Sequence, residues 1–476
     1  MRKEGCGIMI VASNLPQAHK GSDNRIAKTA ARTGAYAALL LGILACLFWY
    51  AAPAAHAEGQ QGMLLAMHEH AQSGALGSDG AVLKDKLEDG VMYAVRILYY
   101  MALLLASGMM LLRLILPQSD RGAEQRRLME RWSGFAVKGL LVASILYVFI
   151  HAARVVRELG GDGDLWLRIF MDTTSGQLWL ALIVLSALGF AAVKLPDIGK
   201  AVWAVLLLAT ESYGGHAAAS EQAVVSILSD FVHLACAALW AGGVMLLLLF
   251  WRADRKEAGR FAERFSSVAW ITIVLLIVSG AVMTWTLIPS WLYLIYTDWG
   301  KWLLVKTGLV IAVAAVGAVL RYRAKRRELP RGFWLKLDGG LMALIVAIAA
   351  IFTVISPMPT GKPLNHHQMG EDLHYTLKLS PNAPGPNEAS LTIWLPEGVG
   401  VPQAVALTLR QEGKPLMNVS LIQSEEGGGI AFPGFNEYRY KGREFVLPRP
   451  GKWTAIMTIT GASGETLERE FEFDSN

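Results

Sequence analysis

Eight apolar runs, most of them about 20 residues or longer, follow one another between residues 92 and 356. A run of that length is what an α-helix needs to cross the hydrocarbon of a bilayer. Few folds satisfy this constraint. In lipid every backbone N–H and C=O must be paired within its own segment or a closed barrel, so uninterrupted apolar runs of this size become helices. The pattern predicts helices over 92–116, 134–157, 174–194, 198–213, 222–251, 266–289, 300–321 and 334–356. Basic residues fill alternate connections: Arg121, Arg126, Arg127 and Arg131, then Lys194 and Lys200, then Arg252, Arg255, Lys256, Arg260 and Arg264, then Arg321, Arg323, Lys325, Arg326, Arg327 and Arg331. Such loops stay in the cytoplasm, so these four are expected inside. The intervening connections hold Trp166, Asp172, Trp291, Tyr296, Asp298 and Trp299, which suits an outer interface.

The ends read differently. Residues 1–57 have a basic stretch through Arg32, an apolar core from about Ala35 to Ala52, and the small-x-small pattern Ala55-His56-Ala57. A signal peptide cleaved after Ala57 is expected, with an uncleaved anchor as the alternative. Residues 58–91 form a polar extracytoplasmic linker containing Met and His. The membrane domain then covers 92–357, and 358–476 makes an outward domain. That last segment alternates, with Leu391, Ile393 and Leu395 on one side and Thr392 and Trp394 on the other. Turn signals interrupt it at 384–387, 426–429 and 449–452. Short strands at this spacing predict a small β-sandwich. The expected fold class is therefore an all-α polytopic membrane bundle of about eight transmembrane helices, followed by a C-terminal β-sandwich.

The formal charge of +5 gives no case for nucleic acid as a partner. Six of the basic groups lie in residues 1–57 against two acidic ones, leaving the remainder nearly neutral. Cys6 and Cys46 fall in the expected leader, so Cys236 is left without an internal disulfide partner. There is no Walker motif, nucleophile elbow, paired catalytic carboxylates or CxxCH attachment site, so the chain does not read as an enzyme.

Ionisable groups inside the apolar runs are costly, and each is a functional hypothesis. Asp230 and His233 lie in the 222–251 run, with His233 roughly 16 Å along it, near the bilayer midplane. Asp230 is three residues earlier on the same face, placed to orient the imidazole or relay protons. A buried hydrogen-bonded pair tying helices together is the plain alternative. Gly214, Gly215 and His216 form a corner at the outer face, which read alone is more often a turn with a surface His. His151, near Arg154 and Arg157, lies toward the outer end of its helix. It could join His216 or simply sit at the interface. Glu211 and Tyr213 lie near the same mouth. Lys306 either snorkels or pairs with an acidic group. Cys236, one turn from His233, is a side bet as a ligand and otherwise a small hydrophobe. Two outer segments bracket the membrane domain. One carries Met63, Met67, His68 and His70; the other carries His366, His367 and Met369, with His374 nearby. Thioether together with imidazole favours copper.

These residues lie in a pattern that resembles the copper resistance protein D family of bacterial membrane proteins. The likeness is carried by SerTyrGlyGlyHisAla (212–217), AspPheValHisLeu (230–234) and LeuTrpAlaGlyGlyVal (239–244). It continues through ArgPheSerSer (264–267), SerGlyAla (279–281), LysTrpLeuLeuValLysThrGly (301–308) and the closing SerProMetPro. The resemblance implies a component of copper uptake or copper tolerance in the plasma membrane, with His216, Asp230 and His233 as the matching polar positions. The tail is similar to YtkA-like extracytoplasmic domains through ProAsnGlu (386–388) and ProArgProGlyLysTrpThr (448–454). Some relatives begin with a copper-binding domain of the copper resistance protein C type, and residues 58–90 are too short for one.

The expectation is copper transport across the plasma membrane. His68, His70, His366 and His367 would capture the ion, His216 and His151 would admit it, and His233 would relay it. A copper-donating extracytoplasmic protein is an expected partner beside the copper ion and the lipid bilayer. Two other readings stay open: a membrane haem protein with His151, His216 and His233 as axial ligands, and a copper sensor or assembly partner without transport.

Overall fold

The computed structural model describes residues 79–115, 123–161, 163–214, 222–326, 328–329, 331–359, 361–424 and 432–475. All eight expected apolar segments are helical. They are α1 (Asp79–Ile115), α2 (Ala123–Glu158), α4 (Thr174–Ala192), α5 (Asp197–Gly214), α6 (Ala223–Ala253), α7 (Arg255–Leu287), α9 (Asp298–Lys325) and α10 (Gly332–Phe352). Two shorter helices, α3 (Gly163–Asp172) and α8 (Tyr293–Tyr296), lie in connections expected to be loops. Seven of the described helices are long and apolar enough to cross a membrane, and the chain is a multi-pass membrane protein. The remaining expected segment, α5, carries Asp197, Lys200 and Glu211 in only 18 residues. It lies against α1, α4 and α6, with Trp203, Ala204, Leu207 and Leu208 among its buried residues.

Capping fixes several starts. Thr173 Oγ1 accepts from Gly176 N at 3.0 Å ahead of α4, and Thr297 Oγ1 accepts from Gly300 N at 3.0 Å ahead of α9. Asp254 accepts from Lys256 N at 2.8 Å ahead of α7. Each satisfies an N–H that the first helical turn would otherwise leave unpaired. α1 and α6 form the centre of the bundle. Where they cross, Gly108 meets Ala238 and Gly242 backbone to backbone: a Cβ on Gly108 would stand 1.8 Å from the Ala238 carbonyl oxygen. α7 and α9 lie outside, turning Ile271, Val274, Ile277, Leu304, Val305 and Ile311 outward.

Beyond Phe352 the chain forms two packed antiparallel sheets. β1 (Leu364–Gln368), β2 (His374–Ser380), β3 (Gly385–Pro396), β7 (Phe435–Leu447) and β6 (Leu421–Gln423) make one, in the order β1-β2-β3-β7-β6. β5 (Met417–Val419), β4 (Ala404–Arg410), β8 (Gly451–Thr460) and β9 (Thr466–Ser475) make the other, in the order β5-β4-β8-β9. Alternation places Leu377, Leu379, Leu391, Ile393, Leu395, Leu407, Leu409, Trp453, Ala455 and Met457 in one core between them. At the head of β3, Gly385 has φ +119°, and its bare backbone lies against the Tyr293 ring of α8. An L side chain there would face both the forbidden φ and the ring.

Candidate functional site

A chain of polar side chains threads the middle of the helical bundle. Glu211 on α5 accepts two hydrogen bonds from α1: Tyr99 Oη donates at 2.6 Å and Tyr100 Oη at 2.7 Å. Tyr99 stacks on Tyr147 of α2 with ring centroids 4.4 Å apart. Arg96 donates to the Tyr147 hydroxyl at 3.4 Å and lies over its ring. One turn further, His151 Nδ1 lies 2.8 Å from the Tyr147 carbonyl. A carbonyl only accepts, so Nδ1 carries the proton. His151 Nε2 is then a lone-pair nitrogen, buried and unpartnered among the described residues.

On the other side of Glu211 lies the expected pair. Asp230 faces Ser212 and Glu211 of α5 and the Lys306 ammonium of α9. Lys306 also lies over the Phe352 ring, 5.6 Å from its centroid, and within electrostatic range of His233. His233 Nδ1 is 3.1 Å from Ser279 Oγ on α7. Ser279 gives its single hydrogen to the Leu275 carbonyl at 2.7 Å, so it accepts from His233 Nδ1–H. The imidazole is therefore oriented from α7, one helix away, by Ser279 and the Leu276 backbone, rather than by Asp230. The outcome for ligation is the same, since Nε2 keeps its lone pair. Gly280 packs against the ring, where a Cβ would lie 3.4 Å from Cε1.

About two helical turns from this point is a cavity of about 60 Å³, between α6, α7, α9 and α10. Trp240, Ile273 and Val313 wall its inner part, and Arg321, Arg323 and Glu328 stand at the basic end. Trp240 lies roughly 10 Å along α6 from His233, and Ile273 roughly 9 Å along α7 from Ser279. Asp338 of α10 lines the cavity at 6% exposure, with Oδ1 unpartnered among the described residues. Arg321 and Arg323 do not neutralise it: Arg321 donates to the Ser266 carbonyl at 3.0 Å and Arg323 pairs with Glu328 at 2.7 Å.

The other expected residues are scattered. His216, His68, His70, Met63 and Met67 lie outside the described residues. Cys236 is buried and free. His366, His367 and Met369 lie on or just after β1, at the edge of the sandwich, where His366 and His367 point to opposite faces. Among the described residues no three His, Cys, Asp or Glu side chains converge to hold a metal. Sequence reasoning missed Arg96, Tyr99, Tyr100, Tyr147 and Asp338. The first four look like interfacial aromatics with a snorkelling cation. Asp338 lies close enough to Arg331 to look like a cytoplasmic flank.

Comparison with known proteins follows the same division of the chain. Residues 87–224 match the family described as copper resistance protein D-like, N-terminal domain, and residues 259–355 match copper resistance protein D. The chain is 28% identical over 330 residues to Copper transport protein CutJ of Bacillus subtilis (strain 168), across 63% of this chain and 58% of that protein. It is 26% identical over 240 residues to Inner membrane protein YebZ of Escherichia coli (strain K12), across 44% of this chain and 82% of that one. The chain thus spans little more than half of the first of these relatives. No solved structure matches it significantly. The matched segments contain most of α1 and α7 and all of α2, α5, α9 and α10, so they hold Arg96, Tyr99, Tyr100, Tyr147, His151, Glu211, Ser279, Lys306 and Asp338, while Asp230 and His233 lie on the intervening α6. The membrane-spanning part of this chain matches the copper resistance protein D family over residues 87–224 and 259–355.

Proposed function

We propose that the protein carries copper inward across a bacterial plasma membrane. The observation that carries this reading is His233: an imidazole inside the bundle, held by Ser279 through Nδ1, which leaves Nε2 as the nitrogen with a lone pair. Asp230 balances the Lys306 charge beside it, so an arriving cation does not meet an uncompensated ammonium. The Asp338 cavity two turns below is the way out, toward the arginine-rich end. Imidazole suits copper in both oxidation states. The name of the Bacillus relative, a copper transport protein, supports the choice of cargo.

The basic connections lie on the cytoplasmic side in this reading. The 288–297 connection and the sandwich packed on it through Tyr293 then face outward. His68 and His70, with Met63 and Met67, and the β1 edge collect copper there from a donor protein. His216 and His151 admit it to the bundle. Residues 1–57 act as the leader that sets this orientation. Copper content of cells tests the relay: a His233→Ala strain is expected to accumulate no more copper than a strain lacking the protein. Accumulation equal to the parent, at equal protein level, removes His233 from the path.

A further inference from the structure

Strand β1 carries His366 and His367 side by side, and the pleat sends them to opposite faces. His366 lies opposite Leu377 on the core side, stacked on Phe471 of the second sheet with centroids 3.8 Å apart. His367 lies opposite Thr376 on the outer face. The pairing of β2 with β3 puts His374 on that same outer face, directly opposite Trp394. Met369 follows directly on the last residue of β1, two positions from His367, and is 60% exposed.

The outer face of a sandwich ordinarily leaves its side chains to water, yet Trp394 is only 5% exposed. Rings close around it. Phe432 meets it edge-on at 5.2 Å and His367 edge-on at 6.2 Å. His374 packs on the same Phe432 at 5.2 Å and on Phe435 at 4.2 Å. Two imidazoles are thus held against one aromatic floor. His367 Nδ1 is 2.8 Å from Thr376 Oγ1, which fixes the ring and leaves Nε2 to a ligand. His374 Nδ1 is buried and unpartnered among the described residues. A buried nitrogen with nothing to bind is costly, and a metal ion supplies the missing partner.

We infer that His367, His374 and Met369 form a Cu(I) site on the outer face of the β1–β2–β3 edge, above Trp394. Two imidazoles and a thioether are neutral, soft donors, which select Cu(I) over hard divalent ions. The neighbouring charges on this face, Glu437 and Arg439, are paired with each other. The nearby indole favours a cation held over its ring. His366 is excluded, since its ring belongs to the other face. The site deepens the capture step proposed above and rests on that reading only for the ion it meets in the cell.

The test is a titration of the purified full-length protein in detergent with Cu(I), kept reduced by ascorbate, against a chromophoric Cu(I) chelator. The parent is expected to bind one equivalent more than the His367→Ala/His374→Ala variant. Met369→Ala weakens that equivalent by about tenfold or more, and His366→Ala retains it. Thermal unfolding identifies a double variant that has not folded, in which case the milder pair His367→Gln/Met369→Leu takes its place with the same expectation. Equal stoichiometry and affinity in parent and folded variant overturns the site. So does a loss in His366→Ala as large as in the double variant. The outcome is separable from transport: if the equivalent is absent while His233→Ala still abolishes uptake, only the outer site is wrong. If the equivalent is present and His233→Ala has no effect, the relay is wrong.

Discussion

Asp230 and Lys306 are worth more as a pair than either is alone. Asp230→Asn leaves the Lys306 ammonium beside His233 without the carboxylate that balances it. Copper uptake is expected to fall at least about tenfold, a cost of about 1.4 kcal/mol. Adding Lys306→Met to the same chain removes the offending charge, and uptake is expected to recover in part. A double variant no better than Asp230→Asn contradicts charge balance as the role of Asp230. In the sandwich, burial against Phe471, with His367 adjacent, holds the His366 imidazole below its ordinary pKa. Below about pH 6.5 the unfolded chain then takes up a proton that the folded one resists, down to the folded value. Stability of the sandwich therefore rises with pH across that window and drops on acidification. Thermal unfolding at pH 5 and pH 7.5 reads the difference, and His366→Phe is expected to narrow it. At this scale the sequence exposes Asp230 and His233 because a charge in an apolar run is visible without a structure. It hides the Ser279 contact and the separation of His366 from His367, since the first crosses between helices and the second depends on strand parity.

Helices were legible as elements and less so as lengths. Apolarity reports where lipid is, not where a helix stops, so α1 begins at Asp79 rather than 92 and α2 at Ala123 rather than 134. At 37 and 36 residues they reach about 55 Å, well past the hydrocarbon. The short α3 escaped because 10 residues between two spans give too little periodicity. Strand alternation in the tail was clear because one face is wholly buried in the core. The WxGG element gains a mechanical role: Gly242 lies against the backbone of Gly108 on α1 and excludes even a methyl group, while Gly243 lies against the Phe265 ring, which would have to shift to admit one. Backbone cannot swing aside as a side-chain tip does. Gly108→Ala is expected to destabilise by about 1–3 kcal/mol or more as α1 and α6 are pushed apart. A fall in the thermal midpoint in detergent measures it, and an unchanged midpoint contradicts the close crossing.

Across the whole molecule, polar groups run from His151 and Arg96 through Glu211, Asp230 and Lys306 to His233, and then, past two turns of apolar wall, to Asp338. Six helices contribute, although no three His, Cys, Asp or Glu side chains converge along them among the described residues. A path built of single ligands suits passage better than storage, because an ion bound by one or two donors leaves quickly. Copper movement into membrane vesicles of defined sidedness tests this most directly. Right-side-out vesicles bearing the parent are expected to accumulate copper, while inside-out vesicles and those bearing His233→Ala do not. Equal accumulation by parent and His233→Ala vesicles at matched protein, or accumulation only in the inside-out preparation, would contradict inward passage through His233.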